Sequence, residues 1–311
     1  MPGLSDKRLL FVTGKGGVGK STVAIALGIA AARRGLRTVV AELTGQERAA
    51  GAFGHPAGAS VARELRLDER LFAIAIEPRR AMEEYLQQKA GPLGDVLAGS
   101  RAFHGFVAAT PGMRELLSMG KAWELAQERR RTPGAEPYDL VIVDAPATGH
   151  GIGALRTPRT FAEIAKVGPI AHQSRTLDAT FTDPAQTAVV AVALAEEMPV
   201  NETLALRREL DAQLGLPLAA VVVNAVYPDR LGPRQARTVA DALARAGAGT
   251  AVHAALRAAS AEHVRAGAQR AQLARLADGL GCAPLTLPYL FDAELGRAQL
   301  ERLADALEPA L

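Results

Sequence analysis

Residues 9–22 read LLFVTGKGGVGKST: an apolar, β-rich run that passes without a break into a glycine-rich turn and leaves it through Lys-Ser-Thr. From Gly14 to Ser21 the turn satisfies the pattern G-x-x-x-x-G-K-[ST]. Glycines between a strand and a helix let successive backbone N–H groups point at one place, and the helix N-terminus adds its dipole, so the turn is an anion nest. Gly14, Gly16, Gly17 and Gly19 permit the backbone angles and close approach that a phosphate chain requires. In such a loop Lys20 reaches the β- and γ-phosphates and the Ser21 hydroxyl meets Mg²⁺. The whole segment, with Val18 and Thr22, is the candidate nucleotide-binding loop.

Working outward, Leu9–Thr13, Thr38–Leu43, Leu140–Val143 and Val221–Val223 are short apolar runs of the same kind. TAVVAVALA at 187–195 contains another, and LFAIAIE at 71–77 alternates like a sixth. Helical patterns at Ser21–Arg34, Glu202–Gln213 and Pro233–Ala246 lie between them. Strand–helix alternation with unbroken apolar strands predicts an α/β fold, a doubly wound and mostly parallel sheet with helices on both faces. Two zones interrupt the rhythm. Arg79–Arg131 reads as helical and holds the only tryptophan, whereas His150–Ala185 reads as irregular, with scattered Pro and Gly. Each borders a candidate site strand, so helical insertions at about 79–131 and 150–185 are expected at the functional edge of the sheet. Ala251–Leu280 is an Ala/Arg-rich helical pattern, expected as a solvated surface helix. With no repeat and no flexible linker, residues 1–311 are expected to form a single domain.

Composition sets the bounds. Apolar residues make up 49% of the 311 and charged residues 22%, a globular balance. The net charge of +3 is spread with alternating sign and demands no nucleic-acid partner. Only six lysines occur, and two of them, Lys15 and Lys20, fall inside the loop. The single cysteine, Cys282, excludes an internal disulfide or a Cys-x-x-Cys site. The longest apolar run is about half of what a bilayer needs, so stable membrane insertion is not expected and a cytoplasmic protein is.

Lys15 has no role in a minimal phosphate cradle. With it, GKGGVGKS resembles the deviant Walker A loop, whose extra lysine reaches the nucleotide of a partner subunit across a dimer interface. The resemblance implies a nucleotide-sandwich dimer in which Lys15 acts in trans, as an arginine finger does. YDLVIVDAPATGH at 138–150 is a buried strand ending in Asp144, the expected carboxylate for a water on Mg²⁺. The run DAPATGH resembles the second switch loop of the arsenical-pump and tail-anchored-protein-targeting ATPase family. TPGMRELLSMGKAWEL at 110–125, VALAEEMPVNET at 192–203 and VVVNAVYP at 221–228 are similar to further segments of that family. The resemblance implies ATP as the ligand, Asn224 as the adenine-recognising amide, and Leu287 and Pro288, in the late loop LTLPYLF, as its flank. It further implies a homodimer, or a heterodimer with a related ATPase, that serves a protein client of unknown identity.

The chain also departs from the family. Where the family's first switch loop carries an Asp that orients the attacking water, Thr44 stands here, and Glu42 and Glu47 are the nearby carboxylates. Glu42, nearer the strand end, is the candidate base, joining Lys15 and Lys20 as the catalytic set. The metalloid-binding cysteines and the zinc-clasp cysteines of the family are absent. Phe103, Phe106, Met113, Leu116, Leu117, Met119 and Trp123 form an apolar set that is either core or a client groove. His104, His150 and His172 make no metal spacing, and His150 is expected to hydrogen-bond in the switch loop. The leading expectation is a Mg²⁺-ATP-dependent dimeric switch. Its alternatives are a poorly hydrolysing regulatory subunit that pairs with a paralogue and, more remotely, a partition-type ATPase.

Overall fold

A computed structural model describes residues 3–90, 100, 105, 107 and 109–311. Phe103, His104 and Phe106 lie outside the described residues, as do the side chains of Thr148 and His150. Among the described residues eight strands form one sheet: β1 (Leu9–Gly14), β2 (Thr38–Glu42), β3 (Leu65–Arg66), β4 (Leu71–Ala75), β5 (Leu140–Asp144), β6 (Thr187–Leu194), β7 (Leu218–Val226) and β8 (Leu285–Pro288). Their order is β3-β4-β2-β5-β1-β6-β7-β8, parallel throughout except where β3 pairs antiparallel with β4. The doubly wound α/β expectation therefore holds, and the loop after β1 opens at the middle of the sheet.

The unbroken apolar strands are explained by burial on both faces. Leu9 and Phe11 of β1 point into one core with Val141 and Val143 of β5 and Val189 of β6. Leu10 and Val12 point into the other with Leu140, Ile142 and Val190. Successive side chains of a strand face opposite ways, so a strand covered twice has no polar alternation to display.

The helices are α1 (Lys20–Arg33), α2 (Arg48–Ala52), α3 (Pro78–Ala90), α4 (Met113–Leu125), α5 (Thr148–Ala165), α6 (Pro169–Phe181), α7 (Glu197–Leu214), α8 (Pro233–Arg245), α9 (Ala251–Leu280) and α10 (Arg297–Leu307). The expected helices at 21–34, 202–213, 233–246 and 251–280 are thus present, with the second expected one beginning earlier, at Glu197. Two expectations are corrected. Residues 150–185 are not irregular: α5 and α6 fill them, with Pro158 inside α5. Ile152, Leu155 and Phe161 of α5 and Leu177 and Phe181 of α6 are buried in the core, and that packing outweighs the local helix-breaking cost of Pro and Gly. LTLPYLF is not simply a loop, because Leu285–Pro288 is the edge strand β8.

The apolar set on α4 is also settled where it is described. Met113, Leu116, Met119 and Trp123 are buried in the core and Leu117 packs against it, so they are not an open groove. Trp123 Nε1 donates to Thr180 Oγ1 of α6 at 3.0 Å. Beyond the end of α4, the fully buried Arg130 side chain bridges Glu64 at 2.6 Å and Glu124 at 3.0 Å, fastening this helical layer to the β3 edge.

Candidate functional site

The glycine-rich loop follows β1 and leads into α1, as its pattern requires. Gly14 has φ 148° and a Cβ there would lie 2.1 Å from the Val192 carbonyl oxygen, so only glycine fits where the chain leaves the sheet. Gly19 has φ 92°, and a Cβ there would meet Asn224 Nδ2 at 2.3 Å. That contact places Asn224, on β7, against the loop: its amide donates to the Val18 carbonyl at 3.0 Å. Gly16 and Gly17 face open space. The nest is backed by two strands and open on its outer side.

At the head of α1, Ser21 Oγ donates to Asp144 Oδ2 at 2.5 Å. Both are buried. Burial pushes the Asp144 carboxyl up, and the Ser21 hydroxyl and the charges of Lys20 and Arg48 only partly offset it. A buried carboxylate beside a hydroxyl is a hard-oxygen donor set of the kind Mg²⁺ takes, and a divalent cation would supply the charge that burial denies it. The residues present fit the ion. The Lys20 ammonium donates to the Lys15 carbonyl at 3.0 Å, and burial holds its pKa below the usual value, with Asp144 opposing the shift. Thr22 continues the first turn of α1.

Glu42 is the last residue of β2 and sits in register beside Asp144 on β5. It is 1% exposed. Its Oε1 accepts from the Arg48 N–H at 2.8 Å and from the Ala49 N–H at 3.4 Å, whereas the buried Oε2 has no partner. Burial pushes its carboxyl up to about 7, the Arg48 and Ala49 N–H groups pull it back, and neighbouring Asp144 adds to the rise. Glu47 does different work. At φ 47° it turns its carboxylate onto the Gly58 and Ser60 N–H groups at 2.6 and 2.8 Å, latching the loop that follows β2. Thr44 is exposed, and with Leu43 and Gly45 it lines a cavity of about 710 Å³ between α4 and α5, opposite Pro146.

Lys15, at the mouth of the loop, meets Glu202 of α7 at 3.0 Å. The structure separates the two candidates for the expected adenine flank. Leu287 is fully buried in the core and offers only its backbone, whereas Pro288 is exposed and pairs with Val226. Arg48 and Glu202 were not singled out as site residues by sequence. Arg48 is found only by folding the head of α2 back onto Glu42, and Glu202 only by bringing α7 to the loop.

A parallel sheet whose central strand feeds a glycine-rich loop, with lysine, hydroxyl and carboxylate gathered at the head of the next helix, defines a P-loop nucleoside triphosphatase. A family model described as an anion-transporting ATPase matches residues 7–173 and 162–236. The chain is 32% identical to ATPase BagA of Mycobacterium tuberculosis, over 98% of this chain and 93% of that protein. It is 28% identical to a putative arsenical pump-driving ATPase of Halobacterium salinarum, over 74% of this chain and 37% of the relative. It is 27% identical to ATPase GET3 of Kluyveromyces lactis, over 71% and 72% respectively. The chain belongs to the anion-transporting ATPase family, in which the arsenical-pump ATPases also fall. Among the described residues no helix is long and apolar enough to cross a membrane, and no cluster of His, Cys, Asp and Glu could hold a metal ion on its own. Cys282 is a free, exposed thiol.

Proposed function

We propose that the protein is a Mg²⁺-ATP-dependent dimeric switch, hydrolysing ATP between two copies of this chain and relaying the nucleotide state to a protein client. The observation that carries this reading is the meeting of Lys20, Ser21, Asp144 and the unpartnered Oε2 of Glu42 at one end of three neighbouring strands. Ser21 and, through a water, Asp144 would hold Mg²⁺, which supplies charge neutralisation to the β- and γ-phosphates when bound. Gly14, Gly16, Gly17, Val18 and Gly19 present the backbone of the nest, and Lys20 fixes the phosphate chain. Glu42 orients the attacking water and takes its proton at Oε2, a role matched to a carboxyl poised near neutral pH. Lys15 adds the positive charge that the transition state calls for, from the partner's side. Asn224 and the Pro288 strand end border the adenine. α4, α5 and α6 pack beside the switch segments at Leu43–Gly45 and Pro146, which is the route by which hydrolysis reaches a client surface.

Steady-state ATP hydrolysis by the purified chain, measured over a protein concentration series beside Lys15→Ala, tests the reading. The specific rate is expected to rise with concentration in the wild type and to fall by about a thousandfold or more in the variant, as loss of a finger residue does. Concentration-independent turnover that survives in Lys15→Ala would remove the trans lysine. Mg²⁺-ATP binding with no turnover, restored by a related chain, would favour the regulatory-subunit alternative, which the exposed Thr44 at the first switch position motivates.

A further inference from the structure

The second lysine of the loop has a partner within its own chain. Its ammonium meets Glu202 Oε1 at 3.0 Å, and the two side chains are 34% and 36% exposed, so the pair lies at the mouth of the nest and faces solvent. Glu202 stands on the second turn of α7, and that part of the helix is braced from the side. Arg275 of α9 donates to Asn201 Oδ1 at 2.8 Å and to the Glu197 carbonyl at 3.1 Å.

We propose that Glu202 is a positioning residue that holds Lys15 against its own chain and thereby sets the protein concentration at which the nucleotide-bound dimer of two such chains forms. The inference rests on the dimeric switch proposed above. A single ammonium cannot serve both sites: to reach a partner's phosphates Lys15 must leave Glu202, and the lost pairing is subtracted from the association free energy. Before phosphate arrives, Lys15 and Lys20 crowd one short loop near Arg48, and the Glu202 carboxylate balances that charge. A bound polyphosphate of the partner takes over the same duty and releases it. Because the pair is exposed it is worth only about a two- to fivefold factor per site, a threshold rather than a lock. A symmetric dimer opens two such pairs, so removing them shifts the dimerisation constant by about four- to twenty-five-fold.

Sedimentation velocity of the full chain, with Mg²⁺ and the β,γ-imido analogue of ATP across a concentration series, reads this shift. The wild type is expected to pass from monomer to dimer within the series, and Glu202→Gln to do so at a concentration about four- to twenty-five-fold lower. In a Lys15→Ala background, adding Glu202→Gln is expected to change nothing, because no pair is left to break. A Glu202→Gln midpoint equal to or above that of the wild type, or the same shift in the Lys15→Ala background, overturns the proposal and leaves the dimeric switch standing. A wild type that is dimeric with and without nucleotide overturns this proposal alone, and one that stays monomeric at every concentration overturns both.

Discussion

Glu42 is the residue at which the proposed catalysis and stability pull in opposite directions. Its carboxyl is raised to about 7 in the folded protein, from an ordinary value of 4.5. Between those two values the folded chain keeps a proton that the unfolded chain has released, so stability falls as pH rises through that window and the loss is complete above about 7. A shift of this size corresponds to roughly 3 kcal/mol. Glu42→Gln, which keeps an acceptor for the Arg48 N–H, is therefore expected to melt higher than wild type at pH 8, with the gap closing toward pH 5. The same variant is expected to lose about a hundredfold or more in ATPase rate, while the wild-type rate climbs as pH passes about 7 and the base ionises. Equal melting temperatures across pH 5 to 8 would show that this carboxyl titrates normally and holds no buried proton.

Among the elements, α1 carries the heaviest constraint, because it must lie close over the sheet to set Lys20 and Ser21 beside Asp144. The closeness is visible at Gly28, where a Cβ would stand 2.9 Å from Val40 Cγ2 and 3.0 Å from Leu71 Cδ1. Gly28→Val asks the helix to lift, and overpacking of this kind costs about 1–3 kcal/mol. Urea denaturation is expected to report that loss, and nucleotide titration a weaker affinity, since the helix head moves with its middle. A variant as stable as wild type would mean that α1 has slack the packing does not show. Helices α5 and α6 teach the converse point. They form in spite of Pro158 because α4 and the sheet give their apolar sides somewhere to go.

At the scale of the molecule, the nucleotide is expected to act as a stabiliser as well as a substrate. A ligand that binds only the folded chain adds about 2.7 kcal/mol at a hundred times its dissociation constant. Thermal melts with Mg²⁺-ATP are therefore expected to rise for the wild type and scarcely at all for Lys20→Ala, which lacks the cation proposed to hold the phosphates. An equal rise in both would place the binding energy outside the loop. The α8–α9 hairpin extends from the body with little burial: α8 has no buried residue, and only Ala266, Leu276 and Leu280 are buried on the 30-residue α9. At 1.5 Å per residue α9 is about 45 Å long. Its reading as a solvated helix follows from the same Ala/Arg pattern that the sequence shows.

Much of this protein was legible in the sequence because it is written in local chemistry. The loop Gly14–Ser21, the strand that ends in Asp144, the apolar runs of β1, β2, β5 and β6, and the Ala251–Leu280 helix are each specified by neighbours along the chain, through backbone geometry, periodicity or motif spacing. The short edge strands β3 and β8 and the helices α5 and α6 were not legible, since their local signals are weak and burial against distant elements decides them. The site divides in the same way. That Lys15, Lys20 and Ser21 belong together follows from sequence, whereas three facts needed the fold: Glu42 buried with a free oxygen beside Asp144, Asn224 against Val18, and Lys15 on Glu202. Each depends on strand register and on the angle at which a helix crosses the sheet. Those are set by how two cores fill together, which no stretch of sequence contains alone.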